Sequence, residues 1–368
     1  MIRRFVRPSF LGIFAIVFMA ILALFAVDLF LAGMERSESK VEAARLFRQG
    51  QDLLQRGENT KAIDSLKEAI TIARGNRDYQ QAFSEAQLAA GKTADARETL
   101  AELLQSDPSD GVASLTMARA LVKEGQLDDA ISYFHRAIYG HWQTSVDENR
   151  LRARFELIDL LAQHNLKQDL LAELLPVQDE APRDSTTRTR IGRLFLLAGS
   201  PARAAEVFRS VLHDAPANAD AYAGLGEADF SQGNYRMAHR QFQAALRLAP
   251  GNQGVKQRLE LCGELFMLDP TMRGLGPAER LRRSVQLLEL VLDETNRCVG
   301  PNPPPNVQGL LATVGKAIQA HASGSRQAEV SETNVDLAEH LWQVRKQECK
   351  PPSPTDTALV LVLAKLAQ

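Results

Sequence analysis

The chain has 368 residues, enough for two or three domains or for one extended array with an added module. Its 43 Lys and Arg residues nearly balance its 45 Asp and Glu residues, so its charge gives no general attraction to nucleic acid, and nucleic-acid binding is not expected. Aromatic residues make up only 6% of the chain, and Ala, Leu, Arg, Glu and Gln are abundant, which predicts an all-α fold.

The N-terminal part of the sequence predicts a membrane anchor. A basic stretch, residues 1–9, precedes an apolar run over residues 10–33, which as a helix is long enough to cross a hydrocarbon layer about 30 Å thick. The basic flank carries Arg3, Arg4 and Arg7, whereas the segment after the run is charge-balanced. The positive-inside rule therefore predicts a single-pass protein of the cytoplasmic (inner) membrane, with a cytoplasmic N-terminus and an extracytoplasmic or periplasmic bulk. A cleavable signal peptide is the alternative, but it would have a shorter apolar region and a small-residue cleavage site.

A spacing of about 34 residues recurs after the apolar run and predicts a repeat of helical hairpins. Three units fit residues 43–144 and two fit residues 185–252. Small residues occur where the two helices of a unit approach each other, and glycine occurs where the chain turns between them. The residues with these roles are Gly50, Gly57, Ala62, Gly91, Ala96, Gly125, Ala130, Gly192, Gly199, Ala204, Gly226, Gly233 and Ala238, and Pro250 closes the last unit.

These units resemble the tetratricopeptide-repeat family, most clearly in the series Gly226, Gly233, Tyr235, Ala238, Phe242 and Pro250. The resemblance implies a right-handed stack of helical hairpins whose first helices line a concave face that binds peptides or partner proteins. In the family register, that face would present Gln51, Glu85, Arg119, Arg193 and Glu227. The arginines among them would favour an acidic partner segment. The alternative is that these long side chains only solvate the helix surfaces.

The segments outside the regular units are also expected to be helical. Residues 145–184 keep helical apolar spacing but lack the diagnostic Gly and Ala, which predicts an irregular hairpin. Residues 253–268 are typical of an amphipathic capping helix, and residues 277–368 of a small C-terminal module of four helices. In that module Cys298 and Cys349 end two helices on the same side, so a disulfide is expected outside the cytoplasm, with two free thiols as the alternative.

The sequence contains no recognisable catalytic, metal or cofactor motif. Its three cysteines and seven histidines do not fall at metal-ligand spacing, and no G-x-S-x-G nucleophile elbow occurs. The sequence therefore predicts a non-catalytic, membrane-anchored scaffold for protein–protein interactions in envelope assembly, secretion or complex formation, with no cofactor. The alternative is an enzyme or enzyme-accessory subunit that functions through the C-terminal module, while the repeats recruit substrate.

Overall fold

The structure, a computed structural model, describes residues 10–320, 326–349 and 357–367; at a few of these, mostly between residues 10 and 36, it describes the backbone alone. Within these residues every regular element is a helix, and the single β-bridge, between Asp110 and His141, is isolated. The prediction of an all-α fold built from helical hairpins is confirmed. The chain divides into two compact units, residues 1–160 and 161–368.

The first unit consists of three helical hairpins and most of a further helix. Helix α1 pairs with α2, α3 with α4, and α5 with α6. The helices are α1 (Phe10–Gln55), α2 (Asn59–Ile72), α3 (Arg77–Ala89), α4 (Thr93–Ser106), α5 (Gly111–Lys123), α6 (Leu127–Tyr139) and α7 (Val146–Gln163).

Helix α1 continues without a break from Phe10 into the first hairpin. Its C-terminal part is packed, since Ala43 and Leu46 are buried, whereas the large apolar side chains described between residues 18 and 34 are exposed. In the described part of the chain, no helix is found that is both long and apolar enough to cross a membrane. Many side chains of the predicted span, residues 10–33, and the whole basic stretch 1–9 lie outside the described residues.

The second unit contains the remaining helices. Helices α9 and α10 form one hairpin, α11 and α12 form the next, and α13 packs on α12. The helices are α8 (Lys167–Glu180), α9 (Ser185–Leu197), α10 (Pro201–Asp214), α11 (Ala219–Ser231), α12 (Tyr235–Leu248), α13 (Gln253–Leu268), α14 (Pro277–Val299), α15 (Pro305–Gln319), α16 (Arg326–Glu348) and α17 (Thr357–Leu366).

The turns between paired helices share one backbone geometry. In the turn after α11, the amide of Asn234 donates to the carbonyl of Asp229, and the amide of Gly233 donates to the carbonyl of Phe230. This pair of bonds is a Schellman motif, which requires a left-handed residue. Positive φ angles of 73° to 78° occur at the turn glycines Gly57, Gly91, Gly125, Gly199 and Gly233. Asn165 holds the same position after α7, with a φ of 55° and the same two bonds, because asparagine tolerates this conformation better than most residues.

Small residues at the helix contacts let the paired helices approach closely. A Cβ atom on Gly226 would lie 2.6 Å from Cε1 of Phe242 on α12, and one on Gly192 would lie 2.7 Å from the ring of Phe208 on α10. Both rings are fully buried, so neither can move aside. The second helices contribute small residues that are also fully buried: Ala62, Ala96, Ala130, Ala204 and Ala238. These positions therefore serve helix packing.

The C-terminal helices share a core with the last hairpin, an arrangement that was not predicted from the sequence. Helix α16 packs along α14, and α17 folds back onto α13. One hydrophobic cluster joins Phe242 of α12 and Cys262 of α13 to Leu287 of α14, Trp342 of α16 and Val362 of α17. Helix α13 is therefore covered by α14 and α17 rather than ending the array, because its buried side chains need apolar partners on the side away from α12.

Two cross-links join α14 and α16 near their C-terminal ends. Cys298 and Cys349 form a disulfide with their Cα atoms 6.1 Å apart. One helical turn earlier, Nη2 of Arg345 lies 3.4 Å from Oε2 of Glu294, and both side chains are largely buried. The third cysteine, Cys262, is free and buried, and burial raises the pKa of its thiol to about 11.

Candidate protein-binding surface

The first helix of each hairpin in the first unit carries one of the expected surface residues. Gln51 on α1 is exposed. Glu85 on α3 is half-buried and accepts a hydrogen bond from Nε2 of Gln81, at 2.9 Å. Arg119 on α5 donates two hydrogen bonds to Glu156 on α7, Nε to Oε2 at 2.8 Å and Nη2 to Oε1 at 2.6 Å. This pairing raises the pKa of the Arg119 guanidinium, which is therefore held as a paired cation.

Ion pairs also connect successive first helices in the second unit. Nη2 of Arg193 on α9 lies 2.9 Å from Oδ1 of Asp220 on α11, and Oε1 of Glu227 on α11 accepts a hydrogen bond from Nε of Arg258 on α13, at 2.9 Å. The guanidinium carbon of Arg258 also lies 5.0 Å from the centre of the Phe230 ring. These contacts give α9, α11 and α13 a common face, here called the inner face.

The expectation that Arg119 and Arg193 attract an acidic partner stays a prediction, but neither arginine is a free cation. Each guanidinium already faces a carboxylate from the next first helix, Glu156 in one case and Asp220 in the other. The two arginines also belong to different units. The charge of each arginine is therefore already balanced by a neighbouring carboxylate.

A cavity of about 600 Å³ lies on the inner face. Ala223 and Gly224 of α11 line its floor; glycine is required at residue 224 because a Cβ atom there would clash with Cζ of Phe208 on α10. Apolar and polar side chains surround this floor, so the cavity offers both apolar contact and hydrogen bonding. Its other lining residues are Arg193, Leu196, Asp220, Glu227, Asn252, Gly254, Val255, Gln257, Arg258 and Leu261.

The structure brings only two of the five expected surface residues into this cavity. Arg193 and Glu227 line it, whereas Gln51, Glu85 and Arg119 belong to the first unit. The residues of α13, including Arg258, were not predicted from the sequence, because the pattern of that helix was interpreted as a cap. The available signal was the spacing, since Arg258 follows Glu227 by 31 residues, close to one repeat.

No metal site emerges from the described side chains. In the part of the chain that the structure covers, His, Cys, Asp and Glu do not gather in any group of three that could hold a metal ion.

The repeats match a known family. The tetratricopeptide-repeat family model matches residues 53–110, 87–141 and 195–258. These ranges fall on the hairpins described above, and on the inner face they include α11 and the start of α13. The chain therefore contains tetratricopeptide repeats within residues 53–141 and 195–258.

Solved structures with similar helical arrays include three proteins. YrrB, a TPR protein with an unusual peptide-binding site, is 16% identical, covers 53% of this chain and 97% of its own, and has a TM-score of 0.44. PilW, a widely conserved type IV pilus biogenesis factor, is 14% identical over 59% of this chain and 98% of its own, with a TM-score of 0.41. The C-terminal part of a TPR repeat-containing protein from Cytophaga hutchinsonii is 14% identical over 66% of this chain and 95% of its own, with a TM-score of 0.46. A comparison with curated proteins gives no match.

Proposed function

We propose that this protein is a non-catalytic scaffold that binds a peptide segment of another protein on the inner face of its second unit. The observation that carries the proposal is the cavity of about 600 Å³ shared by α9, α11 and α13. Repeat proteins of this kind bind partners along such surfaces. The Arg193–Asp220 pair is exposed, and an exposed ion pair contributes only about 0–1 kcal/mol, so a partner can replace one of its members at little cost.

The experiment uses the full chain in lipid nanodiscs as bait for a phage-displayed library of random peptides. Enriched peptides are then synthesised, and their dissociation constants are measured by calorimetry. We expect the double variant Arg193→Glu, Arg258→Glu to bind the enriched peptides about tenfold more weakly, because it reverses two charges that line the cavity. Ala223→Phe, which fills the cavity, is expected to abolish binding.

The matched control reverses two charges on a second helix of the same unit. Arg240 and Arg247 are exposed on α12 and do not line the cavity. The double variant Arg240→Glu, Arg247→Glu is expected to bind with the affinity of the wild type. If no peptide is enriched, or if both double variants lose affinity equally, the proposal for the inner face fails.

The second part of the proposal places this scaffold at the cytoplasmic (inner) membrane, with its bulk outside the cytoplasm, in envelope assembly, secretion or complex formation. Three observations support it. The apolar side chains described between residues 18 and 34 are exposed along α1. Arg3, Arg4 and Arg7 precede them. The disulfide between α14 and α16 suits an oxidising compartment.

This location is tested with reporters fused to the C-terminus of the full chain. Alkaline phosphatase is active only outside the cytoplasm, whereas green fluorescent protein exported in unfolded form stays dark. We expect phosphatase activity without fluorescence, and resistance of the fusion to alkaline carbonate extraction. A fluorescent fusion, or a fusion that carbonate releases, would overturn the proposed location but not the proposed binding at the inner face.

A further inference from the structure

In the second unit, a groove with a volume of about 640 Å³ lies between α13, α14 and the start of α17. Helix α14 lines it with residues that follow a single helix face from Gln286 to Arg297. At 1.5 Å per residue this face is about 16 Å long, which equals about three turns of an α-helix. The groove therefore has the length of a short helix.

The floor of the groove is apolar and incompletely covered. Leu268 of α13 and Leu359 of α17 are buried beneath it. Met267 of α13 and Leu290 of α14 line it as well, yet they are 54% and 40% exposed. Exposed apolar side chains that converge in one groove leave apolar surface in water, which a partner can bury.

Gly263, in the middle of α13, also lines the groove. Glycine destabilises a helix interior relative to alanine. At Gly226 the ring of Phe242 requires it, but a Cβ atom on Gly263 would meet nothing within 4 Å. Packing within this chain thus does not require glycine at this position, while its absent side chain leaves room for another helix to approach closely.

The groove carries a net negative charge, since three carboxylates and one guanidinium line it. Nη1 of Arg297 lies 2.6 Å from Oε1 of Glu294, and Arg345 faces the other oxygen of that carboxylate, so Glu294 is neutralised. Among the described residues, Glu264 and Asp293 have no ion-pair partner. A partner that carries Lys or Arg beside its apolar face would supply the missing charges.

We propose that this groove docks an amphipathic helix of another protein, about three turns long, with an apolar face flanked by lysine or arginine. This is the helix-in-groove mode of recognition, in which apolar side chains one turn apart anchor the partner. The α13–α14 groove is separate from the inner face, so the chain has two docking surfaces of different chemistry.

The probe is a synthetic helical peptide of about 14 residues with leucines one turn apart and flanking lysines, and binding is measured by fluorescence anisotropy. The full chain is held in zwitterionic nanodiscs, and the signal of empty nanodiscs is subtracted. We expect Gly263→Leu, which fills the floor, to weaken binding about tenfold or more. The double variant Glu264→Lys, Asp293→Lys should have a similar effect. A peptide with glutamates in place of the lysines should bind about tenfold more weakly to the wild type.

The chain offers a matched control for each variant. Gly315 on α15 is also a half-buried helix glycine with nothing within 4 Å of an added Cβ atom, and it lies outside the groove. Glu260 and Glu289 are exposed on α13 and α14, again outside the groove. Gly315→Leu and the double variant Glu260→Lys, Glu289→Lys should change the affinity by less than about twofold.

Three results would overturn the proposal. The first is equal binding by the groove variants and their controls. The second is a wild-type dimer, seen by light scattering, that Gly263→Leu converts to a monomer, because the groove would then take a second copy of this chain. The third is loss of peptide binding in the inner-face variant Arg193→Glu, Arg258→Glu, which would place the peptide on the other surface. Retained binding in that variant supports two separate surfaces, whatever the outcome for the inner face.

Discussion

Replacing Gly226 by alanine tests the role of close helix packing in the repeats. Alanine is the better helix former by about 0.8–1 kcal/mol, so an open helix position would gain stability from this change. At Gly226, however, the added Cβ atom would lie 2.6 Å from Cε1, 2.7 Å from Cδ1 and 3.0 Å from Cζ of Phe242, whose ring is fully buried. Overpacking of this kind typically costs about 1–3 kcal/mol. We therefore expect the free energy of unfolding to fall by about 1 kcal/mol, the difference between these effects.

The assay is urea unfolding of the full chain, followed by far-UV circular dichroism. Gly263→Ala is the matched comparison, because an added Cβ atom there meets nothing within 4 Å. We expect that variant to gain about 0.5–1 kcal/mol from helix propensity alone. The same chemical change should therefore have opposite signs at Gly226 and at Gly263.

This reasoning would be refuted if Gly226→Ala were as stable as the wild type or more stable. A double-mutant cycle locates the cause. In a Phe242→Leu background the smaller side chain leaves space, so the cost of Gly226→Ala should shrink. An unchanged cost would show that the ring is not its source.

Three further predictions concern the cysteines and one carboxylate. Reducing the Cys298–Cys349 disulfide, whose residues are 51 apart in sequence, should lower the free energy of unfolding by about 4 kcal/mol in the chain-entropy treatment. Hydrogen bonds from Arg282 and Arg283 lower the pKa of Glu279 from 4.5 to about 2, so an NMR titration should find its midpoint there. The stability from this depressed pKa is present above about pH 4.5 and is lost as the pH falls towards 2. Burial raises the pKa of the Cys262 thiol to about 11, so the native chain should resist alkylation at about pH 8 and react on unfolding.

Each of these predictions has a result that contradicts it. Unfolding curves that coincide with and without reductant would show that the disulfide adds no stability. An NMR titration midpoint of Glu279 near pH 4.5 would mean that Arg282 and Arg283 do not lower its pKa. Rapid alkylation of Cys262 under native conditions would show that the core around α13 opens readily.

The repeats could be predicted from the sequence where the backbone conformation of a turn requires a particular residue. The five turn glycines adopt φ angles that other residues rarely adopt, so they mark the turns in the sequence itself. Asn165 shows the limit of this signal, because an asparagine in the same conformation forms the turn without the glycine that marks the other turns. The continuity of α1 was not predicted, although residues 34–42 contain no glycine or proline that would end a helix.

The sequence by itself thus determined the all-α class, the repeat period, the turn positions and the small residues of the paired helices, because these depend on backbone conformation and on contacts between consecutive helices. Only the tertiary structure decided which partners the charged surface residues have. Arg119 pairs with Glu156, 37 residues away, and Arg258 with Glu227, 31 residues away, on helices brought together by stacking. Only the tertiary structure decided that α17 packs on α13 and that the space beside Gly263 is open. Both depend on how helices distant in sequence meet, and neither has a local sequence signal.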